Sequence, residues 1–588
     1  MESNLHKQVS ESICKLYNIQ GLKIQFQKTR KEFIGDVTIV VFPILSFSKK
    51  SPEKTSDEIG KYLMKNIEYI INYNVIKGFL NITISNSYWL NLVNFAYKQE
   101  RFGFNTPPDN SRRYLVEYSS PNTNKPIHLG HLRNNFLGYS ISNIIKASGY
   151  DVKKVQIIND RGIHICKSMV SWIDHGKSET PENSGLKGDH LVGKYYVKFE
   201  EQYRKEVSDL ISLGMTQDQA EKESSIYKKA QDMLIKWERG DQKVIEIWKM
   251  MNKWVLDGFK ITYDRLGVDF DKNYFESDTY LLGKDIIQFG LEKGVFYQKD
   301  DGSVWIDLSE YDLDEKLVLR ADGTSVYMTQ DIGTAIQRHK DFDFTHMIYT
   351  VANEQDYHFK VLFLILNKLG YQWAESCYHM SYGMVELPSG KMKSREGTVV
   401  DADDFMQQMV DNAREIAGQL GKIGELTHKK QEELYEIVGL GALKYFLLKV
   451  DPKKNMLFDP VASIDFNGNT APFIQYTYAR IQSLKNKHKG NRVIVNSLDI
   501  LSQEKDLIKL ILDFPNVINE SAKSSNPSLV ANYIYNLVKE YNSYYQTVNI
   551  LSVNDDCIVS FRVALSDMIG KVIKDGMSLL GIDVPDRM

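Results

Sequence analysis

Two histidines three residues apart, His128 and His131, have the type and spacing to grip an anion at a helix mouth. They lie in the run Ser119-Ser120-Pro121-Asn122-Thr123-Asn124-Lys125-Pro126-Ile127-His128-Leu129-Gly130-His131-Leu132-Arg133, which follows an apolar stretch at 114–118. Pro126 keeps the preceding turn out of helix, so a helix should begin close to His128. Both imidazoles then share one face of its first turn, where unpaired N–H groups and the dipole attract phosphate. Gly130, lacking a Cβ, lets a flat base approach the backbone. Two histidines so spaced could equally cap the helix or ligate a metal, and the pair alone leaves these readings open.

Two further motifs need weighing. Gly188-Asp-His-Leu-Val-Gly193-Lys194 has the glycine and lysine spacing of a phosphate loop. Tyr195 stands where a Ser or Thr must hold Mg2+, and no apolar strand precedes the motif, so a polar loop is expected. Lys391-Met392-Lys393-Ser394-Arg395-Glu396-Gly397 is a basic segment that by itself would be a solvated face.

The elements that would position these residues follow from periodicity. A strand at 114–118, a helix with Leu137, Ile141, Ile144 and Ile145 at helical spacing, Gly149 as a C-cap and a strand at 152–158 make a βαβ unit. That unit predicts a parallel sheet, whose carboxyl ends bind ligands. Strands at 347–351 and 382–386 should resume it, with an insertion at about 174–243 between. Turns at 300–303 and 321–324 predict two hairpins within 295–329. Residues 1–107 read as α+β, with strands at 36–43 and 78–85 and a linker at 105–113. From 401 onward the chain reads as helical, with a basic run at 485–492.

Composition limits the function classes. At 588 residues, the chain should hold about three to five domains. With 43% hydrophobic and 25% charged residues it is an ordinary folded chain, not a disordered one. Cys14, Cys166, Cys377 and Cys557 are scattered without a CxxC pair, which argues against a disulfide scaffold or a cysteine zinc site, and no other metal site is expected. A net charge of −3 excludes a uniformly basic nucleic-acid coat. The N-terminus shows no signal-peptide pattern and the apolar runs are shorter than the ~20 residues of a membrane helix, so a cytoplasmic chain with no membrane partner is expected.

HLGH after a strand resembles the HIGH signature of class I aminoacyl-tRNA synthetases, and KMKSREG, about 260 residues later, resembles their KMSKS signature. SSPNTNKPIHLGHLR, the stretch from Tyr327 to Asp331, Gln355-Asp-Tyr-His358 and residues 465–481 resemble arginyl-tRNA synthetases in particular. This resemblance implies a Rossmann-like α/β catalytic domain over 108–400, and an α+β N-terminal tRNA-binding domain over 1–107. It also implies a helical connection over 401–460 and an all-α anticodon-binding domain over 461–588. It implies ATP-dependent activation of L-arginine, with Mg2+ accompanying ATP, and transfer to the 3′ adenosine of tRNA(Arg) by a monomer, activation itself requiring tRNA.

The implied roles follow motif by motif. His128, Gly130, His131, His358, Met384 and Ser394 would meet ATP, with Lys391 and Lys393 on the departing pyrophosphate. Ser394 falls where KMSKS has its second lysine, and Lys125 would supply the missing charge. Glu117, Asn122, Tyr327, Asp331 and Gln355 would bind arginine, as a guanidinium with five donors needs carboxylates and acceptors. Arg480, Lys485, Lys487, Lys489 and Arg492 would meet tRNA phosphates. Of Tyr476, Tyr478, Tyr541, Tyr544 and Tyr545, one or two would stack on anticodon bases. Three rivals remain: a class I lysine enzyme, an inactive RNA-binding relative and an adenylyl transferase that does not use tRNA.

Overall fold

The computed structural model describes residues 2–22, 24–30, 32–108, 112–280, 282–386, 401–420, 426–488, 490, 492, 494 and 497–588. The segment holding Lys391, Lys393 and Ser394, and Lys489 in the basic run, lie outside the described residues.

The predicted parallel sheet is present. Its order is Cys377–Tyr382, His346–Ala352, Arg113–Glu117, Asp151–Ile158, Lys272–Phe275, with every neighbour parallel. Helices cover both faces, which is why Leu115, Val116, Met347 and Ile348 are all buried. Helix Leu129–Ala147 crosses from Arg113–Glu117 to Asp151–Ile158, its predicted Leu137, Ile141, Ile144 and Ile145 face wholly buried. One expectation is corrected: the sheet strand near 382 is Cys377–Tyr382, whereas Val385–Glu386 leaves the sheet to pair with Met456–Leu457. Gly383 breaks the run, because a Cβ there would lie 2.5 Å from the Asn455 backbone nitrogen.

The first hairpin expectation holds, Tyr297–Gln298 pairing with Val304–Ile306. The second turn closes only an isolated bridge between Leu319 and Ser325 before helix Tyr327–Phe342 begins. The phosphate-loop lookalike is no loop: its residues form the first turns of helix Gly188–Ser212. This helix packs with Ile163–His175, Ser225–Glu238 and Gln242–Leu266 in the inserted region. Gly188 faces the Trp254 backbone too closely for any side chain, which accounts for one of the two glycines.

The N-terminal part is a four-stranded antiparallel sheet, Gln25–Lys28, Val37–Val40, Phe79–Ile84, Ile70–Ile76, backed by helix Pro52–Asn66. Past 401 the long elements are helices: Ala402–Leu420, His428–Leu448, Ala471–Lys487, Ser502–Ser524, Ser528–Thr547 and Asp556–Leu579. Among the described residues no helix is long and apolar enough to cross a membrane.

Candidate functional site

From the central strand Arg113–Glu117 the chain builds outward to one side, then returns to build on the other through His346–Ala352. The switch point lies between these two strands, and open parallel sheets bind ligands in the crevice at such a point. The carboxyl ends beside it lead into Glu117 and Asn122, Asp160, Glu276, Gln355 and His358, and Met384.

The turn out of the central strand is strained. Ser119 (φ 75°) and Ser120 (φ 50°) are both left-handed, at a cost on the order of 1–2 kcal/mol each. The Ser119 amide donates to Asn134 Oδ1 (2.5 Å), its hydroxyl meets Tyr263 Oη (2.6 Å), and Ser120 Oγ donates to Glu117 Oε1 (3.3 Å). Beyond it, the amides of Thr123 and Asn159 bond across to Asn159 and Pro121 carbonyls, leaving Asn122 exposed.

Helix Leu129–Ala147 starts at His128, and the two histidines cap it reciprocally. The Gly130 amide donates to His128 Nδ1 (3.2 Å) and the His128 amide to His131 Nδ1 (3.3 Å), with ring centroids 4.0 Å apart. Capping and anion recognition are therefore compatible. Because each Nδ1 accepts, each neutral ring carries its proton on Nε2, the atom left as a donor. Burial, with Lys125 nearby, pushes His128 down to about 3, and burial holds His131 well below its ordinary value, so both stay neutral at pH 7. A Cβ on Gly130 would sit 3.1 Å from His128 Cε1, so its vacancy first serves the His128 ring.

Lys125 is half-buried, and burial lowers its pKa. Among the described residues no carboxylate pairs with it. It lines a cavity of about 230 Å³ with His128, His190 and Asp401. Fully buried Arg133, on the same helix, donates to the carbonyls of Gly383, Lys454 (3.0 Å) and Pro452 (3.3 Å), fixing the backbone before Met384 against the histidine helix. Met384 itself is 40% exposed.

The opposite wall is acidic. Tyr327 and Asp331 stand one turn apart on helix Tyr327–Phe342, and Tyr327 is 78% exposed. Asp331 Oδ2 meets His358 Nε2 at 2.6 Å. Gln355 lies exposed at the N-cap of helix Asp356–Lys368. Glu117, by contrast, is buried and paired with Arg338, whose Nε and Nη2 have no hydrogen-bond partner among the described residues. The sequence reading missed Glu276: burial raises it to about 7 against the lowering pull of Arg161, with Asp160 and Asp331 adding to the rise. Only its place just past strand Lys272–Phe275 could have pointed to it. A cavity of about 580 Å³ is lined by Glu276, Tyr327, Gln330, Arg161 and Tyr280.

The helical C-terminal part holds a separate polar cavity of about 590 Å³, lined by Tyr476, Arg480, Lys487, Tyr545 and Arg587. Arg480 stacks over Tyr476 and Tyr545 at 4.9 and 5.0 Å. Other expected RNA contacts are engaged elsewhere. Lys485 pairs with buried Asp567 (2.5 Å), Arg492 approaches the same carboxylate (3.9 Å), and buried Tyr478 donates to Asp586 (3.3 Å). Tyr541 and Tyr544 are core residues. Charge and aromatic type alone do not separate these from the lining residues.

Residues 95–460 match the family described as "tRNA synthetases class I (R), catalytic domain", and residues 474–588 match the "DALR anticodon binding domain". The chain is 55% identical to the arginine–tRNA ligase of Flavobacterium psychrophilum and 52% identical to that of Bacteroides fragilis, each alignment covering 100% of both chains. Its fold resembles the arginyl-tRNA synthetase structure from Thermus thermophilus (TM-score 0.78, 21% identity, 99% of this chain and 100% of the other). The structure from Plasmodium falciparum is similar too (TM-score 0.76, 18% identity, 100% and 99%). With the family match running through both the parallel-sheet crevice and the helical C-terminus, the chain belongs to the class I arginyl-tRNA synthetases.

Proposed function

We propose that the crevice performs both steps of arginine–tRNA ligation, with the imidazole mouth taking ATP and the acidic wall taking arginine. In the first step the arginine carboxylate attacks the α-phosphorus in line, and pyrophosphate leaves from the opposite side. Nothing covalent is asked of the protein; it must position the reactants and offset developing negative charge. His128 and His131 donate from Nε2 to the triphosphate, which enters with Mg2+ as its counter-ion. Lys125 supplies cationic charge from the same side, while Lys391 and Lys393 attend the pyrophosphate. Gly130, His358, Met384 and Ser394 complete the nucleotide contacts.

Asp331, Tyr327 and Glu276 receive the guanidinium; Asn122 and Gln355 receive the α-amino end. Glu117 acts from beneath, through its pair with Arg338. In the second step the 2′-hydroxyl of the terminal adenosine attacks the adenylate carbonyl and AMP leaves. The C-terminal cavity, with Arg480, Lys487, Tyr476, Tyr545 and Arg587, takes unpaired anticodon bases of tRNA(Arg), the N-terminal region meets the tRNA elsewhere, and the chain works as a cytoplasmic monomer.

The observation that carries this reading is the juxtaposition, at the carboxyl ends of the sheet's strands, of neutral, Nε2-donating imidazoles and a wall of carboxylates. ATP–pyrophosphate exchange with tRNA present, comparing arginine with lysine, tests it. Exchange with arginine only is expected; preference for lysine, or tRNA binding without charging, overturns it.

A further inference from the structure

The Gly188–Lys194 motif plays no part in the reading above, yet its helix lies directly against the histidine mouth. Gly193 packs on Pro126, where a Cβ would come within 2.8 Å of the ring Cδ. One turn earlier, His190 Nε2 lies 3.2 Å from both Asp401 Oδ2 and Asp403 Oδ2. Asp403 also binds Lys187 Nζ, and that ammonium reaches Thr262 Oγ1 (2.6 Å) and Asp189 Oδ2 (3.2 Å). Asp189, His190 and Asp403 could converge on a metal, but Lys187 already brings a cation to two of them.

The cluster ties three elements together: the start of helix Gly188–Ser212, Thr262 of helix Gln242–Leu266, and the entrance to helix Ala402–Leu420. That entrance is paired with the histidine mouth through its backbone. Asp401 bridges His128 antiparallel, and the Ala402 amide donates to the Ile127 carbonyl (2.9 Å). Asp401 is seven residues beyond Ser394 in the chain.

We propose that His190 is a positioning residue for ATP: by holding Asp401 and Asp403 it fixes the bridge that sets the His128 backbone, while Gly193 lets its helix close on Lys125–Pro126. The proposal rests on the reading of His128 as a nucleotide contact. His190 touches neither substrate and acts through Asp401.

The test measures steady-state exchange with His190→Ala, His190→Gln, Asp401→Asn and the double variant His190→Ala/Asp401→Asn, beside His128→Ala. His190→Ala should raise the ATP KM about tenfold, as expected of a small displacement at a positioned site, with arginine KM and tRNA Kd unchanged. His190→Gln, which keeps an N–H donor, should restore most of it. The double variant should be no worse than the more affected single one, as two residues acting in series are not additive. Equal rises in ATP and arginine KM, additive losses, or no rescue by glutamine would overturn the proposal. If His190→Ala folds poorly, Asp401→Asn alone decides by the same KM split. If His128→Ala leaves ATP KM and kcat unchanged, the nucleotide reading itself fails; if only the His190 and Asp401 variants are silent, the positioning role fails alone.

Discussion

The two walls of the crevice solve opposite electrostatic problems by different means. In the function proposed above, the histidine mouth would recognise an anion with rings that burial keeps uncharged, each Nε2–H aimed by spending Nδ1 on the backbone. The acidic wall would recognise a cation with full or partial charge, the mutual repulsion of its carboxylates being relieved by the raised pKa of Glu276. Direction is built into the first wall and charge into the second. Neutral donors have fixed geometry but little reach, whereas carboxylates act over several ångströms through a poorly screened medium.

The contrast can be broken at four points. Replacing His128 by alanine removes a directed donor and the Gly130 cap together, and activation should fall about 10³-fold, the upper range for one lost transition-state donor. Pyrophosphate exchange reads this, and a loss below tenfold would contradict the directed-donor account. Lys125→Ala should slow activation about 10²-fold with tRNA binding nearly intact. Wild-type exchange rates in that variant would refute its role in offsetting phosphate charge.

On the other wall, Asp331→Asn keeps shape and loses charge, so arginine KM should rise about tenfold while ATP KM holds, one charge contact being worth about 1.4 kcal/mol. An unchanged arginine KM removes Asp331 from the pocket. The smallest effect concerns Glu276. Its carboxyl ionises as pH rises through about 7, so arginine KM should fall between pH 6 and 8, and Glu276→Gln should flatten that slope. For stability the sign is reversed. The folded form retains this proton above the ordinary carboxylate range, so Glu276 makes folding less favourable as pH rises toward 7. A melting series of the native chain and Glu276→Gln reads that difference directly.

The histidine wall holds a second pH signature of opposite direction. His128 and His131 are buried neutral, whereas in an unfolded chain they would take up protons near 6.5. Their contribution to stability is complete above that pH and is lost as pH falls below it, for His128 toward about 3. Between pH 6 and 8, then, His128 and His131 keep their neutral form.

Much of this was legible in the chain itself. Pro126 before His128 set the helix start, the 3.6-residue apolar pattern marked its buried face, and strand–helix–strand spacing required a parallel sheet. Those are local rules, decided by neighbours within about ten residues. The motif order then named the family and the ends of the strands where chemistry should sit. The tertiary structure alone decided how the side chains pair. Glu117 meets Arg338, Asp331 meets His358, Lys485 meets Asp567, and His190 meets Asp401, each with a partner 27 or more residues away. Charge strength depends on burial and on such distant partners, so it cannot be written in a local pattern. That is why Glu276 looked ordinary in the sequence, and why residues 188–194 read as a polar loop when their glycines mark close helix packing.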